Sequence, residues 1–198
     1  MQNIKFPVDF TFKIGTLAND FAAVDADGHM VAYVRQKMFK LKEDIEIFDN
    51  DAKSKLLYRI KADRWLDFSS AYNFSDAAGN PIGKVARKGW KSLLKAEYVI
   101  IDQKNEHQYR ITEENPWIKV ADNLLGAIPV LGVLTGYFFN PSYAVVDNDK
   151  QIIARLKKQA SFWGRKFRVT KTGKMDSDDD DRILLSLMMM ILLERQRG

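Results

Sequence analysis

Apolar and polar residues alternate along much of this chain, but near its end the alternation stops. From Ile183 to Leu193 only Ser186 is polar, so the segment Asp178–Arg195 has no wet face. A helix that is apolar all round is buried in protein or sits in a membrane. At 1.5 Å per residue the apolar run covers about 16 Å, against a hydrocarbon core of ~30 Å. The pattern therefore predicts a core helix, Asp180 to about Arg195, wrapped by the rest of the chain. Leu and Met favour helix, and the run's β-branched content is only two Ile. The Asp run before it suits the positive end of the helix dipole, and Glu194, Arg195 and Arg197 return the chain to water.

The alternating part predicts strands. Phe6–Ile14 reads as one or two. From Phe21 a unit begins that returns at Tyr72 and Tyr143, and the three copies superpose without gaps. Phe21, Tyr72 and Tyr143 align, as do Asp25, Asp76 and Asp147, and Val34, Val85 and Leu156. Each unit is a strand, a polar turn and a strand. Asp25-Ala-Asp-Gly28 and Asp76-Ala-Ala-Gly79 place Asp to cap the turn and Gly where φ is positive. The third copy, Asp147-Asn-Asp-Lys150, lacks the glycine, and Asn148 is expected to supply the left-handed residue. Further strands are predicted at 45–48, 56–60, 65–68, 98–101, 108–112 and 167–170. A strand count of about twelve points to an all-β sandwich or barrel.

Side chains alternate across a strand. Ala32, Gly83 and Ala154 share one face with Val34, Val85 and Leu156, while Arg35, Lys84 and Lys157 fall on the other. The apolar face thus offers a small residue at the same place in every copy. That leaves room for something bulky opposite, and the C-terminal helix is the candidate. The stretch Leu124–Phe139 has no charge but carries Gly126, Pro129, Gly132 and Gly136. A short helix, Asp122–Ala127, followed by a buried apolar connection fits it better than a membrane-touching loop or a span.

At 198 residues and 46% hydrophobic content the chain can bury one sizeable core, and no linker divides it, so one domain over residues 1–198 is expected. The absence of cysteine removes disulfides and thiolate chemistry, and His29 and His107 are too few for a histidine metal cluster. The opening MQNIKFPVDF does not read as a signal peptide, so a cytoplasmic protein, with peripheral membrane contact left open, is expected. Net charge is +5, but five of the 26 acids lie in Asp176–Asp181, and without them the body carries +10. A basic body suits anionic partners, although excess surface lysine is the plain alternative.

Catalytic patterns are missing. Gly79-Asn-Pro-Ile-Gly83-Lys84 is one residue short of a P-loop, and Val85 stands where Ser or Thr is required. No carboxylate pair is singled out, so a non-enzymatic protein is expected. Trp90, Trp117 and Trp163 can close barrel ends or meet a ligand. Nucleic acid is the weaker functional reading because no binding signature accompanies them.

Three degenerate hairpins on a basic chain, then an acidic run and an apolar helix, resemble the tubby C-terminal-like superfamily. The hairpins with their following basic residues (Arg35 and Lys37; Arg87 and Lys88; Lys157 and Lys158) are most similar to its LURP-one-related and phospholipid scramblase branches. The resemblance covers about Phe21 to Leu193. It implies a closed antiparallel barrel of about twelve strands enclosing the C-terminal helix. It also implies anionic phospholipid or phosphoinositide headgroups as ligands of those six basic residues. In scramblases a calcium-binding acidic segment precedes the final helix, where this chain has Asp176, Asp178, Asp179, Asp180 and Asp181. The packed spacing here departs from a loop of alternating oxygen ligands. The cysteine-rich palmitoylation segment and proline-rich extension of scramblases are not in this sequence. The expected function is a lipid-headgroup-binding module in which calcium is optional. The alternative is a structural or interaction domain with an unidentified protein partner.

Overall fold

The computed structural model describes residues 1, 4–13, 20–36, 44–63, 71–87, 97–114, 142–159, 166–175 and 177–197. The strand expected at 65–68, the helix expected at 122–127, the stretch 124–139 and Trp90, Trp117 and Trp163 lie outside them. Twelve strands follow in order: β1 (Val8–Phe12), β2 (Phe21–Val24), β3 (Met30–Gln36), β4 (Asp44–Phe48), β5 (Leu56–Ala62) and β6 (Ala71–Asp76), then β7 (Pro81–Arg87), β8 (Glu97–Asp102), β9 (His107–Glu113), β10 (Ser142–Val146), β11 (Ile152–Gln159) and β12 (Lys166–Lys171). Each pairs antiparallel with its neighbours in sequence, and β12 closes on β1 with Val8 opposite Val169 and Phe10 opposite Phe167. A closed barrel has no unpaired edge.

The helix α1 (Ser177–Arg197) lies inside. Every residue from Arg182 to Leu193 is buried, so the run without a wet face has strand side chains on all sides. The one internal hydroxyl, Ser186, is satisfied locally by donating to the Arg182 carbonyl at 2.7 Å. The helix begins three residues before the expected Asp180 because Asp178 and Asp179 suit its first turn. It also runs to Arg197, beyond the expected end. Among the described residues no helix is long and apolar enough to cross a membrane.

The sequence repeat is the barrel's symmetry. The three copies form β2–β3, β6–β7 and β10–β11, each four strands from the next around the ring of twelve. Their registers match: Ala23 faces Ala32, Phe74 faces Gly83 and Val145 faces Ala154. Every turn repeats one hydrogen-bond pattern. Asp25, Asp76 and Asp147 each accept the amide four residues on through Oδ1, at 2.9, 2.8 and 2.8 Å. Asp102 does the same for Glu106, and the Asn50 side chain for Ser54, so two further turns that the repeat did not reveal share the design. In the third copy Lys150 itself takes the left-handed position, with φ 64°, and not Asn148, whose amide donates to the His107 carbonyl. The strain of a Cβ at that φ is offset by the Asp147 cap, which fixes the turn from the other side.

The small interior residues face the helix as expected. Gly83 is the extreme case, with φ +149° and an ideal Cβ falling 2.5 Å from the Ile101 carbonyl oxygen and 3.0 Å from Cδ of Arg182. Accordingly the helix approaches β6, β7 and β8 more closely than the other strands.

Two substitutions test this packing. Met189, fully buried, becomes an unpaired interior carboxylate in Met189→Asp, which costs several kcal/mol against a total of roughly 5–15. That variant, and truncation before Ile183, should give no cooperative unfolding transition by circular dichroism; a soluble, cooperatively folding truncation would make the helix dispensable. Gly83→Ala combines backbone strain with overpacking and should lower stability by about 2–5 kcal/mol in chemical denaturation.

Candidate functional site: the two ends of the barrel

Because every strand reverses the one before, successive connections alternate between the barrel ends. The β2–β3, β4–β5, β6–β7, β8–β9 and β10–β11 turns all lie at the end where α1 begins. The strand ends of β3, β7 and β11 therefore meet at the other end, where α1 emerges.

At the turn end the acidic block is engaged by the protein itself. The Tyr109 hydroxyl donates to Asp179 at 2.8 Å and Arg182 pairs with the same carboxylate. Lys171 reaches both oxygens of Asp180 at 2.8 and 3.0 Å. The Tyr58 hydroxyl and the Met1 amino group converge on Asp181 at 2.5 and 2.6 Å. Asp178 is exposed, and Asp176 lies outside the described residues. Tyr58 and Tyr109 occupy equivalent places, opposite Ile47 and Ile100 in strand pairs four strands apart around the ring. Burial raises both hydroxyl pKa values well above the usual tyrosine range, and the carboxylate each one bonds raises them further. Elsewhere at this end Asp25, Asp27 and His29 bring ligand-type atoms within 4.8 Å of one another. Oδ1 of Asp25 is already the acceptor for two amides of its own turn.

At the opposite end lie the four described headgroup candidates, on three strands spaced around the ring, and they divide by face. Arg35 and Lys157 are exposed on the outer wall. Arg87 and Lys158 are half-buried and follow the inward residues Val85 and Leu156 by two, so they line the rim of the interior. Gln36, also in the inward phase, is their counterpart in the first repeat. Lys37 and Lys88 are not among the described residues. Arg87 pairs across the ladder with Tyr98, whose hydroxyl donates to Glu194 at 2.9 Å and ties the last turn of α1 to the barrel. Burial, and then Glu194, push the Tyr98 hydroxyl pKa far up, with Arg87 acting against them. Tyr143 is raised by burial and by Glu194 and Glu113.

Much of the wall between the ends is neutralised. Arg168 grips Asp9 with two bonds of 2.7 and 2.9 Å, and Lys166 lies 3.0 Å from the same carboxylate. Arg155 pairs with Glu114 at 3.0 Å and Arg110 with Glu97 at 3.1 Å. The Arg168 bonds hold the Asp9 carboxyl below its ordinary pKa.

Tyr58 and Tyr109 were not singled out in the sequence reading, although a signal existed. Tyr58 and Tyr109 are separated by the same interval as Gly28 and Gly79, so the repeat extends to the strands after each hairpin.

A closed twelve-stranded antiparallel barrel threaded by its own C-terminal helix is the architecture of the tubby and scramblase-like superfamily. Within it this chain belongs to the LURP-one-related family, whose model matches residues 30–191. No curated protein matches the chain.

The buried hydroxyls give an alkaline prediction. Tyr33 is pushed up to about 12 by burial and its bond to Asp20, and Tyr58, Tyr98, Tyr109 and Tyr143 are raised as well. The unfolded chain ionises tyrosine near pH 10 while the native state keeps its protons. Their contribution is thus complete below about pH 10 and lost as pH rises beyond it. In a tyrosinate absorbance titration fewer than half of the seven tyrosines should ionise before the barrel unfolds. Simultaneous ionisation near pH 10 with the fold intact would contradict these environments. Tyr58→Phe and Tyr109→Phe should each cost about 1–3 kcal/mol in denaturant unfolding, since each removes a hydrogen bond to an ionised, partly buried carboxylate.

Proposed function

We propose that this protein is a non-enzymatic module that binds anionic phospholipid or phosphoinositide headgroups through the basic end of its barrel. The observation that carries the reading is that Arg35, Arg87, Lys157 and Lys158, distant in sequence, lie at the same barrel end. The repeat spaces their strands, β3, β7 and β11, evenly around the ring. That arrangement suits a surface of many phosphates better than a single small ligand. A basic side chain close to an anionic leaflet contributes about 1 kcal/mol, and the effect fades beyond a Debye length of ~8 Å. Membership of the LURP-one-related family supports the reading because its superfamily contains lipid-binding domains.

Calcium enters this reading only through Asp176–Asp181. Vesicle binding that rises with calcium in the parent, and no longer does so in Asp178→Asn with Asp180→Asn, is the result expected of a calcium site there.

Sedimentation with neutral and anionic vesicles, with and without calcium, tests the function. Binding should require the anionic lipid and weaken as salt is added. Arg35→Ala combined with Lys157→Ala removes two exposed cations and should weaken it by about ten- to thirtyfold, since 1.4 kcal/mol is tenfold. Lys55→Ala with Lys104→Ala, on turns at the other end, serves as the control and should leave binding unchanged. If the parent ignores anionic vesicles at low salt in the presence of calcium, the lipid reading fails. An interaction domain with a protein partner then becomes the better account.

A further inference from the structure

We infer that Asp179, Asp180, Asp181 and Arg182 act as a key that selects one of three nearly equivalent seats for the helix inside the barrel. The inference is independent of the lipid reading. It comes from setting the helix contacts against the threefold repeat of the wall.

An apolar cylinder inside a repeating barrel has more than one way to fit. The repeats place Val34, Val85 and Leu156 at equivalent buried positions, so a helix turned by a third of a circle meets nearly the same wall. The helix body offers little to break the tie. Ile183–Leu193 is apolar all round, and the unbranched side chains of Met188, Met189 and Met190 adapt to many surroundings. A core that is filled but loosely specified loses uniqueness before it loses stability.

The four residues before that run are the ones with individual partners. Asp179 takes Tyr109 on β9, Asp180 takes Lys171 on β12, Asp181 takes Tyr58 on β5, and Arg182 lies against Gly83 on β7. Around the ring these partners follow at intervals of three, five and two strands, ten twelfths of a circle. Three helical steps of about 100° cover the same ~300°. Consecutive residues thus address all three repeats within one turn of helix.

The other two seats are blocked at the same positions. Tyr58 and Tyr109 lie opposite Ile47 and Ile100, and the matching place in the third repeat, opposite Val169, holds Val8, which has no donor to offer. Lys171 stands two residues beyond Val169, whereas Asp49 and Asp102 stand two beyond Ile47 and Ile100. Gly83 corresponds to Ala32 and Ala154. Turned one way by a third of a circle, the helix sets Asp179 against Val8, Asp180 against Asp49 and Arg182 against Ala154. Turned the other way, it sets Asp181 against Val8, Asp180 against Asp102 and Arg182 against Ala32. Each wrong seat leaves a carboxylate without its donor and brings two acids together. Each also presents a Cβ where Gly83 leaves only just enough room for the arginine stem.

NMR of isotope-labelled methionine methyls reads the seat directly, since Met188, Met189 and Met190 are fully buried and successive helix residues face different parts of the wall. The parent should give one methyl signal for each. Asp180→Lys sets two ammonium groups together at Lys171 and favours Asp49 and Asp102 instead. The three signals should therefore move or split while circular dichroism shows a folded barrel. Adding Lys171→Asp removes the repulsion, so Tyr58, Tyr109 and Gly83 again favour the original seat and the parent's single set should return. Parent-like signals in Asp180→Lys mean that packing alone sets the rotation, and overturn the inference. A moved or split set that persists when Lys171→Asp is added overturns it equally. If Asp180→Lys does not fold, Tyr58→Phe combined with Tyr109→Phe decides, because that variant keeps every charge. A second set of methionine signals there supports selection among seats, and the parent's set alone overturns it.

Discussion

A helix that is apolar on every side cannot be left half covered, and that constraint shapes the rest of this protein. An open sheet or a sandwich would expose part of the run Ile183–Leu193. A sheet closed upon itself is the arrangement that surrounds a cylinder completely, and here every one of those residues is buried. The hydrophobic return on enclosing Leu and Met side chains, at roughly 1.5–3 kcal/mol each, makes the helix the largest single contributor to the core. Closing the ring also removes the unpaired strand edges that an open sheet would present.

Threefold repetition is how the chain achieves closure, and it governs chemistry as well as packing. Whatever one repeat carries at a strand end is brought to the same barrel end in the others. Carboxylates that cap turns accumulate at one end because every turn requires a cap. Basic residues that follow the second strand of each hairpin accumulate at the other. The separation of these two groups is therefore a consequence of connectivity and needs no long-range design.

The barrel, the helix and the repeat were legible in the sequence because each rests on periodicity, which one chain displays directly. Their finer chemistry was less so. Periodicity shows that Ala32, Gly83 and Ala154 are equivalent but not that Gly83 alone lies against Arg182. It groups Arg35, Arg87 and Lys157 as basic residues after a hairpin, while the alternation of a strand sends Arg87 inward and the other two outward. Asp with Gly marked two turns and the repeat revealed a third, while the Asn50 and Asp102 turns escaped because Lys53 and Asn105 fill their left-handed positions and no repeat copy points to them. Contacts between residues far apart in the chain, such as Tyr58 with Asp181 or Tyr98 with Glu194, leave no local pattern to read.

The acidic block shows how two roles can draw on the same atoms. Each of Asp179, Asp180 and Asp181 holds a different partner, and together they fasten the start of the helix to β5, β9 and β12. A divalent cation seeks several carboxylate oxygens at once. To take them here it would have to displace the Tyr109 and Tyr58 hydroxyls and the Lys171 ammonium, each bond to a charged group being worth about 1.5–3 kcal/mol. Ion binding and helix anchoring are therefore opposed at this end of the barrel. The last turn, tied to Tyr98 through Glu194, is untouched by that competition, so loosening would begin where the helix starts and leave its exit at the basic end in place.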